Sequence, residues 1–142
     1  MTTEPFTIRF AVRSYELDTQ HHVAHTVYMQ YADQSRFACA QAAGLSPDKL
    51  LADGLGPINL ETTLRYHHEL RGDDEVDVSC AFVWGTSKTH RVEHVLRKPD
   101  GTLVAEISSV SALLDLRTRR LVDDPAASLR TRASKPELLG LS

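Results

Sequence analysis

The sequence has no apolar run long enough to span a bilayer, and residues 1–13 contain no apolar core of the kind a secretion signal needs. Membrane insertion is therefore not expected, and a cytoplasmic location is. Cysteine is scarce: only Cys39 and Cys80, with no CxxC pair. Two cysteines make no disulfide framework, and both lie in apolar-patterned segments, so buried, reduced thiols are expected. There is no basic excess either. A net charge of −3 and a pI near 6.1 argue against nucleic acid as the main partner. The HExxH zinc pattern, internal repeats and low-complexity tracts are all missing.

What is present fits one soluble α+β domain over residues 1–142. The hydrophobic share of 42% is enough to build a core without disulfide or metal staples. Residues 6–12 alternate apolar and polar, the period of a strand. Residues 27–43 contain no Gly or Pro and stop at Gly44, with Pro47 following, which predicts a long helix. Its small residues, Ala32, Ser35, Ala38, Cys39, Ala40, Ala42 and Ala43, mark it as buried. Val27, Tyr31, Ala38 and Ala42 form its expected inward stripe, widened by Tyr28, Ala32 and Cys39. Ser46 and Pro47 open a short second helix that Gly54 ends. Four further strands are expected as a meander: one alternating Ile58, Leu60, Thr62, Leu64 and Tyr66 inward, then runs near 76–84, 90–97 and 103–116. The tail after Pro125 has weak helical character. Five strands and one long helix point to an antiparallel sheet wrapped around that helix.

The most informative stretch is residues 15–28. It places Glu16, Asp18, His21, His22 and His25 within ten residues, just before the buried helix. A helix start presents unpaired N–H groups and partial positive charge, which can polarise a carbonyl. Asp18 can act as nucleophile or general base, and His25 can orient water or move a proton. Asp18 as a plain loop or cap residue is the competing reading. So is a metal site made from Asp18, His21, His22 and His25.

Asp18 to Tyr28, with Tyr31 and Arg36 beyond, resembles the signature of the 4-hydroxybenzoyl-CoA thioesterase family of hotdog proteins. The turns at 72–76, 85–88 and 99–101 are similar to that family in their order, and the likeness covers about residues 6–125, leaving 126–142 as a tail. The resemblance implies a hotdog fold and an acyl-CoA thioesterase with no cofactor and no metal. Asp18 falls on the family's catalytic aspartate. His25 falls where the Tol-Pal-associated thioesterases carry an assisting histidine. His22, Val27, Tyr28 and Ser87 are expected against the substrate, and Arg65, Lys88 and Arg91 against the CoA phosphates. A homodimer or homotetramer is implied, with the site between protomers. The sequence departs from the family at His21, where the loop usually has glycine, and at Ala24 and His25, where it usually has asparagines. A non-catalytic acyl-CoA-binding domain and a hotdog hydratase or dehydratase are the alternatives.

Overall fold

Glycine and proline are absent from residues 27–43, and the chain there forms its longest helix, α1 (Val27–Ala42), in a computed structural model that describes residues 5–142. Gly44 ends it at φ 89°. Its N–H donates to the Gln41 carbonyl and that of Leu45 to the Ala40 carbonyl, the paired bonds that close a helix through a left-handed residue. A Cβ on Gly44 would also lie 2.1 Å from Ser134 Oγ, so a side chain there collides with the tail. A short helix, α2 (Pro47–Ala52), follows, with Ser46 Oγ accepting the Lys49 N–H as its cap.

Five strands curl around α1: β1 (Phe6–Ala11), β2 (Leu55–Tyr66), β3 (Glu75–Val83), β4 (Thr89–Arg97) and β5 (Leu103–Asp115). All neighbours are antiparallel, in the order β1-β3-β4-β5-β2. This is the α+β arrangement the sequence pattern indicated and the hotdog type the resemblance implied. A two-residue strand that the pattern did not indicate, β6 (Arg120–Leu121), pairs with the end of β5. No helix among the described residues is long and apolar enough to cross a membrane.

The expected meander is correct only for β3, β4 and β5. β2 pairs with β5 rather than with its successor, so it lies at the sheet's edge. Alternation tells which residues share a face and not which strand lies alongside.

The expected facing of β2 also holds only in part. A bulge between Asn59 and Glu61 adds one residue to the strand. Asn59 lies across from Ser111 and Pro57 from Leu113, whereas beyond the bulge Thr62 faces Ser109 and Leu64 faces Ile107. One inserted residue switches the parity of every side chain that follows. Leu60 is consequently 51% exposed.

The expected inward face of α1 holds at Val27, Tyr28, Tyr31, Ala32 and Cys39 and fails at its C-terminal end. Tyr28, Tyr31, Ala32, Ser35 and Cys39 are buried, whereas Ala42 is exposed. A helix with small residues all round does not announce its inner face through hydrophobicity alone. Ser35 Oγ donates to the Val78 carbonyl at 3.2 Å, so a small polar residue meets the strand directly. Cys39 and Cys80 are both buried and unlinked.

Two clusters make up most of the core. One lies beneath the first half of α1 and includes Val27, Tyr28, Tyr31, Leu70, Val76, Leu96 and Ile107. The other joins Ala43, Leu45, Leu50, Leu55 and Leu113 to the tail residues Leu129, Leu139 and Leu141. The tail is thus core structure, folded as α3 (Pro125–Arg130) and a 3-10 turn (Pro136–Leu139). Trp84 Nε1 donates to the Leu139 carbonyl at 2.6 Å. The weak helical pattern read there reflects the shortness of both helical pieces.

Candidate active site

The loop carrying Asp18 folds back on itself before α1 begins. Asp18 N–H donates to the His22 carbonyl at 2.7 Å, and His21 N–H donates to the Asp18 carbonyl at 3.0 Å. Leu17 pairs with Val23, and His22 pairs with Arg71 in the segment between β2 and β3. Closing so tight a turn needs a left-handed residue, and His21 supplies it at φ 62°. The position where the resembling family has glycine therefore keeps a glycine-like backbone while carrying a side chain. That conformation costs a non-glycine residue about 1 kcal/mol. His21→Gly should raise the unfolding free energy by about that amount in urea titrations. Unchanged or lower stability would refute the strain.

The loop is also fastened from beneath. Glu16 is 7% exposed, and its Oε1 accepts the Tyr31 hydroxyl at 2.7 Å and the Arg13 N–H at 2.7 Å. Its carbonyl accepts the Ala24 N–H at 2.9 Å. Burial, and then the bond to the Glu16 carboxylate, push the Tyr31 hydroxyl pKa upward, so Tyr31 remains a donor. Both ends of the loop are thus tied to Glu16, whose carboxylate is held from α1 by Tyr31.

Within this frame Asp18 is exposed. Its Oδ1 accepts the Gln20 N–H at 2.8 Å and the His22 N–H at 3.2 Å. The Gln20 bond is the main reason the carboxyl titrates below its ordinary 3.8, so Asp18 is ionised at neutral pH. Oδ2 accepts no hydrogen bond among the described residues, which leaves it free for a water or a substrate atom. A cavity of about 400 Å³ opens beside it, lined by Asp18, His22, Val23, His25, Tyr28, Tyr66, His67, His68 and Glu69. Tyr66 donates its hydroxyl to the His25 carbonyl at 2.8 Å and meets Tyr28 edge-on at 5.0 Å between ring centroids. This ties the end of β2 to the start of α1. The helix opens at Thr26 with no side-chain cap and no acid in its first turn. A carboxylate base and an uncapped helix start thus share one concave wall.

The structure brings Asp18, His22, His25 and Tyr28 together. It does not bring in the other expected residues. Val27 is buried in the core beneath α1, because its position on the helix points inward. Ser87 lies in the β3–β4 turn, where its hydroxyl donates to the Thr89 carbonyl at 3.2 Å. Lys88 pairs with Asp123 at 3.3 Å. Arg65 and Arg91 line a separate hollow with Thr63, Glu93, Glu106 and Ser108, on the sheet face away from α1. Alternation puts them there, since their neighbours Leu64 and Val92 point to the core. Among the described residues, no three His, Cys, Asp or Glu side chains converge as a metal site requires.

Two further groups in the cavity wall lie outside the set expected from sequence. Tyr66, His67 and His68 stand at the polar-aromatic end of β2, which reads from sequence as a strand with alternating faces. Glu69 gives no sequence signal at all, because only the pairing of residues 22 and 71 brings it to the Asp18 loop.

A sequence profile described as the thioesterase-like superfamily matches residues 12–133. No curated protein sequence matches this chain significantly. Among solved structures, a Staphylococcus aureus protein characterised in complex with CoA is similar with a TM-score of 0.83 at 23% identity, over 93% of this chain and 83% of that one. A 1,4-dihydroxy-2-naphthoyl-CoA thioesterase from Synechocystis gives 0.78 at 12% identity, over 84% and 89%. A probable thioesterase from Escherichia coli gives 0.76 at 19% identity, over 89% and 95%. At these identities the likeness shows the fold.

Proposed function

The chain belongs to the thioesterase-like superfamily, and on that basis we propose that it hydrolyses an acyl-CoA thioester to the free acid and CoA. One observation carries the reading. An ionised carboxylate with one free oxygen, that of Asp18, shares a cavity with the uncapped start of α1. Asp18 Oδ2 takes a proton from water as the water oxygen attacks the thioester carbonyl carbon. Backbone N–H groups at the helix start, near His25, hold the developing oxyanion. A preorganised donor of this kind is worth about 3 kcal/mol of barrier. Tyr28 and Tyr66 supply the apolar wall against the acyl group. CoA as the carrier is supported by the CoA complex of the similar S. aureus protein.

A second copy of this chain is the proposed partner. β2 lies at the sheet edge, and Leu60 and Tyr66 on it are each about half exposed. An edge strand presents unpaired backbone groups that a matching strand can complete. Sedimentation velocity should give a dimer or a larger even assembly, and a monomer at micromolar concentration would exclude this pairing. Arg65 and Arg91 could meet a nucleotide only in such an assembly, because they face away from the Asp18 cavity.

Thiol release from short, medium, long-chain and aromatic acyl-CoAs tests the activity. Turnover of at least one member supports the proposal. A folded protein that releases thiol from none of them overturns it.

A further inference from the structure

His22 reaches the cavity from the same turn as Asp18, and its ring is held in one orientation. Nε2 lies 2.6 Å from Glu69 Oε2. The other Glu69 oxygen, Oε1, accepts the Arg71 Nε–H at 2.8 Å and lies 2.7 Å from Arg71 Nη2 as an ion pair. That hydrogen bond, with smaller contributions from the charges of Arg71, His22 and His68, lowers the Glu69 pKa below its ordinary 4.5. Glu69 therefore presents a carboxylate to the ring, which keeps a proton on Nε2. Nδ1 has no partner among the described residues.

Asp18 and His22 are joined to each other within the turn. Asp18 N–H donates to the His22 carbonyl, and His22 N–H donates to Asp18 Oδ1. Two groups able to move protons are thus braced against each other in one cavity wall, and one of them is oriented by a third. An oriented base or acid of this kind is the arrangement that proton transfer needs.

Resting on the thioesterase reading above, we propose that His22 is the general acid that protonates the leaving sulfur, with Glu69 as its positioning residue. Asp18 takes one proton from water as the new C–O bond forms. The C–S bond then breaks, its electron pair goes to sulfur, and the proton on Nδ1 of the doubly protonated His22 ring goes with it. The proton held by Asp18 returns to Nδ1 through water. Both side chains end as they began, and the products are one acid and one thiol. The alkyl thiolate of CoA is more basic than an aryl thiolate, so its departure gains more from a proton delivered to sulfur.

The test compares two leaving groups on the same acyl chains: octanoyl and benzoyl thioesters of CoA, and of 4-nitrothiophenol, whose thiolate leaves unaided. His22→Gln is expected to lower kcat about 100-fold on the CoA esters and less than about 3-fold on the nitrothiophenyl esters. Glu69→Gln should show the same contrast at about 10-fold. A role confined to holding the loop would depress both esters equally, and that result overturns the proposal. Equal losses in His22→Gln and Glu69→Gln, beside collapse in Asp18→Asn, defeat the His22–Glu69 pair alone. A wild type inactive on every ester defeats the thioesterase reading and the pair with it.

Discussion

Asp18→Asn is expected to lower kcat for acyl-CoA hydrolysis by about a thousandfold, within the range that positioned acid–base groups contribute. The substitution removes the basic oxygen and little else. Asparagine keeps a side-chain oxygen where Oδ1 stands, so the N–H groups of Gln20 and His22 retain their acceptor. The turn therefore survives, the thermal midpoint should move by less than about 2 °C, and KM should change little. Thiol release read beside a circular dichroism melt separates lost chemistry from lost fold. An Asp18→Asn protein that turns over at the wild-type rate would remove Asp18 from the mechanism.

The largest effect on stability is expected at the other end of the molecule. Leu139 is fully buried, in one cluster with Ala43, Leu45, Leu113 and Leu141. Truncating such a leucine removes its burial and leaves a cavity, at a cost of about 3 kcal/mol. The Trp84 bond goes to the Leu139 backbone carbonyl and is retained, so the loss reports packing. Leu139→Ala should lower the urea midpoint with an unchanged slope. Catalysis by the remaining folded protein should be unaffected. The tail packs at the C-terminal end of α1 and the Asp18 loop at its start, about 24 Å apart along the helix. A loss below 1 kcal/mol would mean that the tail does not belong to the core.

The Asp18 loop was legible because its signals are local. A run without Gly or Pro ending at Gly44 marks α1, and the acids and histidines ahead of it mark the site. His21 shows that a local departure can be structurally silent, since the backbone keeps the left-handed turn. Tyr31 and Glu16 were visible as residues but not as a pair. Their bond depends on how the loop settles on the helix, and sequence spacing does not report that.

The sequence by itself determined the main elements, the class of fold and the choice of Asp18 as the candidate carboxylate, because periodicity, capping and turn chemistry act over a few residues. Only the tertiary structure decided that β2 sits at the edge beside β5, that its bulge reverses which residues face inward, and that the tail closes the core. It also decided that Glu69 meets His22 while Arg65 and Arg91 turn to the opposite face. Each of these follows from strand pairing and register between distant segments. Such pairing is fixed by which surfaces can be buried together, and many pairings satisfy the same alternating pattern.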